Sequence, residues 1–174
     1  MRKLRLTLAL VFGIFIAIFG VFLFSNLNYQ NVPLEFIFQE QFAKGNFFEG
    51  MYTLWASGFM CDWWAYFSPE NIEQHGVISI LFSSAVFPAV MTWFSAGFIS
   101  GALIQKPKHG FYIAMGLFSF MVVFWVIWMI LAGVDLAQMF TSGIYATSGK
   151  LFTGLLWINI GGILGGTVSN PAFD

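Results

Sequence analysis

Four stretches of this chain, residues 4–24, 77–104, 111–134 and 151–168, are apolar for long enough to cross a bilayer. A hydrocarbon core is roughly 30 Å thick and a helix rises about 1.5 Å per residue, so some 20 apolar residues suffice. Every backbone N–H and C=O in such a stretch must find its partner without water, which selects helix over an open strand. Composition agrees with this: 59% of the residues are hydrophobic and 9% are charged, against roughly 25% charged in a soluble domain. The expected fold is an all-α integral membrane protein, a single membrane domain over 1–174 with four transmembrane helices. An aromatic-rich interfacial helix is expected in the outer segment 25–76, between the first two spans.

The first run follows Met1-Arg2-Lys3-Leu4-Arg5. A secretory signal also opens on a basic patch, but its apolar core is shorter and ends at small residues. Here the run closes on Phe22-Leu23-Phe24-Ser25-Asn26, so a retained span is expected. Its Gly13, Ala17 and Gly20 recur on one side as a packing stripe.

Orientation follows from the basic residues, because short cytoplasmic loops carry the excess of lysine and arginine. With four spans, Arg2, Lys3, Arg5, Lys106 and Lys108 fall on one side, and Lys44 and Lys150 fall on the other with seven of the eight acids. The expectation is a multi-pass protein of the cell membrane with both termini cytoplasmic and residues 25–76 and 135–150 outside. The turn Lys106-Pro107-Lys108-His109-Gly110 joins spans two and three on the cytoplasmic side. There Lys106, Lys108 and His109 are candidates for contact with lipid headgroups.

Within the outer segment, Leu34, Phe36 and Phe38 alternate after Pro33 and predict a short extended piece. Residues 46–67 are apolar and aromatic, with Glu49, Thr53 and Ser57 forming a narrow polar stripe at helical spacing. That pattern suits a helix lying in the headgroup region. Were it to span, parity would flip and place the Lys106–Lys108 turn outside. Ser68 before Pro69 predicts a capped helix start, and Pro88 predicts a kink in the long second run.

Glycine marks the helix faces expected to pack closely. Gly97 and Gly101 form one GxxxG pair in the second span, and Gly161, Gly162, Gly165 and Gly166 form two overlapping pairs in the fourth. Asn159 lies mid-span and should face protein, since an unpaired amide in hydrocarbon is costly.

Chemistry-bearing residues are few. No metal or other cofactor is expected, because His75 and His109 fall on opposite sides and a zinc site needs several convergent donors. Cys61, Asp62, Glu70, Glu73 and His75 read as a solvated acidic loop, and Asp135 and Lys150 as interfacial anchors. No catalytic constellation is visible, and a net charge of −1 with no long basic run excludes a nucleic-acid partner. The helix end Gly97-Phe98-Ile99-Ser100-Gly101, the basic turn and the closing Gly161-Gly162-Ile163-Leu164-Gly165-Gly166 resemble small prokaryotic, particularly archaeal, polytopic membrane proteins. That resemblance covers the C-terminal half and implies no activity.

The expected partners are membrane lipids and other membrane protein subunits. The expected function is an accessory or structural subunit of a multi-subunit membrane complex, packing through its glycine-rich faces. The alternative is a small homo-oligomeric transporter or channel with its path along the Ser/Thr/Gly faces of the second and fourth spans.

Overall fold

A computed structural model describes residues 2–137 and 143–170; the expected placements of the C-terminus and of the middle of the 135–150 connection lie outside the described residues. The chain opens with α1 (Arg2–Phe24). A two-residue hairpin follows, β1 (Asn28–Tyr29) paired antiparallel with β2 (Val32–Pro33). Its loop residues Gln30 and Asn31 both have positive φ, the twist a tight type I′ turn requires. Next come α2 (Leu34–Phe36), running directly into a π-helical turn (Ile37–Phe42), and then α3 (Phe47–Ser57) and α4 (Trp63–Tyr66). After these come α5 (Pro69–His75), α6 (Val77–Leu81), α7 (Phe87–Ile104), α8 (Pro107–Leu131) and α9 (Ile144–Val168). The helices α1, α7, α8 and α9 are long and apolar enough to cross a membrane. Their basic end carries Lys3, Arg5, Lys106 and Lys108, and the opposite, acidic end carries the segment from Ser25 to Gly76.

Five expectations are corrected. The extended piece at 34–38 is helical: only Val32 and Pro33 are paired, and Pro33 serves as the residue before a helix that continues as a π turn. The second run is two helices and not one kinked span. Pro88 has no N–H to offer Ser84 and is tolerated only in the first turn of α7, while the Ser83 hydroxyl accepts from Val86 N (3.3 Å) and stabilises the break. The third span begins at Pro107 and ends early, because Gly133 at φ 74 closes a Schellman motif. In that motif Val134 N donates to Met129 O (3.0 Å) and Gly133 N to Ile130 O (3.1 Å). The fourth span starts at Ile144 and not Leu151, so Lys150 lies within a helix.

The fifth correction bears most on the architecture. Residues 46–67 do not form one helix across the end of the bundle. The chain enters among the long helices on α3, turns at 58–62 and leaves on α4 by the same end. Phe59 and Cys61, at the turn, are each 1% exposed. Gly58 packs under Ala17 and Trp93. Ala17 lies seven residues below Phe24 and Trp93 six below Phe87, so the turn sits about 10 Å beneath the helix ends. A single surface helix would have left Trp55 and Phe59 in lipid, whereas the fold buries them in one cluster with Trp93, Phe118, Met121 and Trp125.

Candidate functional site

At the basic end, α7 closes on Gln105 in the left-handed region (φ 63), and Lys106, extended, precedes Pro107 at the start of α8. Gln105 Oε1 accepts from the Arg5 guanidinium, which ties α1 to this turn. Lys106, Lys108 and His109 are exposed around it, so the three residues singled out for lipid contact share one end with Lys3 and Arg5.

Above that turn α7 and α9 meet backbone to backbone. A methyl group at Gly97 would overlap the carbonyl oxygen of Ile158, one at Gly101 that of Gly162, one at Gly161 that of Phe94, and one at Gly165 that of Phe98. Gly110 of α8 enters the same seam beside Gly162, and a methyl at Gly166 would come 2.7 Å from Lys106 O. All six GxxxG glycines of the second and fourth spans therefore make their close contacts inside one chain. Beside the seam, Gly13 faces Ser100 and Leu117, and Gly20 faces Thr92, so the α1 stripe packs on α7. The Ser100 hydroxyl donates to Ala9 O at 2.9 Å across that contact, a bond worth about 0.6–2 kcal/mol between membrane helices.

Toward the acidic end the packing changes character. Phe59 is stacked on Trp125 (centroids 4.9 Å, 21°) and leans on Trp93 (4.9 Å) and Phe118 (6.2 Å). The non-helical backbone here is met by side chains: Trp93 Nε1 donates to Gly58 O at 2.7 Å, and the Thr153 hydroxyl is shared between Gly149 O (2.9 Å) and Cys61 O (3.2 Å). Trp55 Nε1 donates to Met121 O at 3.2 Å. Irregular backbone away from water persists only with such partners.

Asp62 caps α4 by accepting from Trp64 N (3.1 Å), and Trp64 Nε1 donates to the Ser148 hydroxyl (3.0 Å). Both residues lie against Gly149, which is why α9 extends up to meet them. The stretch expected to be a solvated acidic loop is divided: Cys61 is buried, contrary to that expectation, while Glu70, Glu73 and His75 ride on α5, and no three His, Cys, Asp or Glu residues converge among the described residues. Burial pushes the Cys61 thiol up to about 12, so it carries no thiolate at neutral pH. Asp135 accepts from Ala137 N at 2.8 Å. Asn159 faces α8, donating to Leu155 O (2.7 Å) and Met115 Sδ (3.2 Å), with Oδ1 buried and unpartnered among the described residues.

Between the end of α1 with its hairpin and the α6–α7 turn lies a cleft of about 480 Å³ lined by amides, serines and phenylalanines. Its signal was present as Asn26, Asn28, Gln30 and Asn31 in a short polar stretch, but only the fold brings Ser83 and Ser84 opposite them. No protein-family model, no curated protein and no solved structure matches the chain.

Proposed function

We propose that this chain is an accessory, structural subunit of a larger membrane assembly, lying with its basic end in the cytoplasm and its acidic end outside the cell membrane. The observation that carries the reading is the close packing of both halves of the bundle. Glycine contacts close the basic half, and Phe59 with its ring of tryptophans closes the acidic half. Two of the hydroxyls on the α7 face that a transport path would follow are engaged internally: Thr92 and Ser100 are 0% exposed, Thr92 Oγ1 donates to Pro88 O at 2.7 Å and Ser100 Oγ to Ala9 O at 2.9 Å. Close packing of this kind between α7, α8 and α9 favours a structural role over transport.

With the glycines consumed inside the chain, a neighbouring subunit would meet exposed apolar side chains of α1 and α8, such as Val11, Phe12, Val123 and Ile127. Lys106, Lys108 and His109 would rest on the headgroups of an anionic leaflet, at about 1 kcal/mol per basic residue. The test is extraction of the native membrane into nanodiscs, followed by mass spectrometry of the purified particles. Distinct membrane subunits at fixed stoichiometry support the reading. A particle containing this chain alone, as monomer or homo-oligomer, sinks it and makes flux assays the next step.

A further inference from the structure

We propose that the acidic-end cleft between the α1 hairpin and the α6–α7 turn binds a neutral polyhydroxylated ligand, a sugar ring. Its volume of about 480 Å³ falls within the roughly 300–1,000 Å³ of small-molecule sites. No lining residue is charged, so neither a phosphate nor a cation gains an ion pair by entering.

The side chains of Asn26, Asn28, Asn31 and Ser84 line the cleft and make no hydrogen bond to any described residue. Each amide offers two donors and a carbonyl acceptor, and each hydroxyl both donates and accepts. A ligand that satisfies several of them must likewise mix donors and acceptors at short spacing, as vicinal hydroxyls do. The wall opposite the asparagines, which carries Ser84, also supplies an apolar plane: Phe82 and Phe87 are stacked at 5.5 Å and 23°, and Phe82 is 71% exposed. The C–H face of a pyranose is flat, weakly positive and apolar, which suits the negative face of an aromatic ring.

The walls are also rigid. Tyr29, 1% exposed, donates its hydroxyl to Ala85 O at 2.7 Å and so fastens the hairpin to the α6–α7 turn. Gln30 Nε2 donates to the same hydroxyl at 3.2 Å. Gln30 and Asn31 hold the positive φ of the type I′ hairpin turn, and Asn26 and Leu27 hold positive φ where the chain leaves α1, so this wall is shaped by defined turns. A wall fixed before binding loses little freedom on binding. The inference is independent of whether the chain is a subunit.

The sugar could be free in solution or carried as the headgroup of a glycolipid, and the test separates the two. The full chain in phosphatidylcholine nanodiscs is examined by saturation-transfer NMR with neutral mono- and disaccharides, and by native mass spectrometry after mixing with a neutral glycosyl diacylglycerol. The expected result is saturation of ring C–H protons, or retention of the glycolipid, weakened roughly tenfold or more in Phe82→Ala and in Asn28→Ala. Both side chains are exposed, and Ser84→Ala alters the facing wall independently. Binding of sugars in solution identifies a soluble ligand, and retention of the glycolipid alone identifies a headgroup. Absence of both, binding unchanged in all three variants, or preferential binding of inorganic phosphate overturns the proposal.

Discussion

In the basic half of the bundle α7 and α9 touch through Gly97, Gly101, Gly161 and Gly165, with no side chain between them. In the acidic half the same helices are bridged by side chains: Trp93 lies over Gly154, and Trp93 and Thr153 each hold a carbonyl of the inserted 58–62 turn. The first half is built by removing atoms and the second by adding large ones. In lipid, apolar surface gains nothing merely by leaving the solvent, so both halves depend on contact and hydrogen bonding rather than on the hydrophobic effect. They differ in tolerance. A backbone–backbone contact cannot accept even one carbon, whereas a ring can be trimmed, leaving a void that neighbours partly fill.

The largest effect should come from the glycine half. Gly165→Leu drives a side chain into the Phe98 carbonyl, which belongs to a helix backbone and cannot move aside. The expected loss is more than about 5 kcal/mol, enough to remove the folded species altogether. Yield of monodisperse, protease-resistant protein in detergent reads this directly; a variant that purifies and melts like the parent would mean the helices are not in this register.

Phe59→Ala attacks the other half and should cost about 3–5 kcal/mol while leaving a folded protein. A second readout tells a void from general loosening. Cys61, two residues on, is buried with its thiol raised from 9.0 to about 12, so maleimide should react slowly with the parent at neutral pH and much faster with the variant. Because the folded thiol keeps its proton to higher pH than the unfolded one, stability should be flat around neutrality and fall as the pH rises past 9.0. Equal labelling of parent and variant would show that Phe59 does not seal the turn. Trp93→Phe is milder: it preserves most of the ring packing but strands the Gly58 carbonyl, at a cost of about 1–3 kcal/mol in a thermal or denaturant melt.

Much of the glycine half was legible in the chain, and less of the aromatic half was. The four spans, the basic turn and the Ser68 cap follow from local rules, and Gly97, Gly101, Gly161, Gly162, Gly165 and Gly166 announce close contact by lacking side chains. What spacing does not give is the partner, and here the partner is another helix of the same chain. The inserted turn was hidden for a different reason. An aromatic run with Glu49 and Asp62 has the same pattern whether it floats on a membrane surface or enters a bundle. The difference lies in Trp93 and Thr153, some thirty and ninety residues away, whose N–H and hydroxyl make a bare backbone turn affordable there. The cleft was hidden likewise, its two walls being separated by α2 to α6.

The smallest expected effect is also the sharpest check on the comparison, because it reverses sign. Gly116 lies in the middle of α8, on the exposed side, with nothing within 4 Å of where a methyl group would stand. If glycine in this bundle matters for close approach and not for flexibility, a glycine outside any contact is only a weak point in its helix. Gly116→Ala should then stabilise by up to about 1 kcal/mol, the intrinsic helix preference of alanine over glycine, while Gly101→Ala destabilises. Paired melts of the two variants in one detergent decide the matter. A loss at Gly116 as well would mean that another surface covers α8 there, and that the seam between α7 and α9 is not the only place where this protein needs a bare backbone.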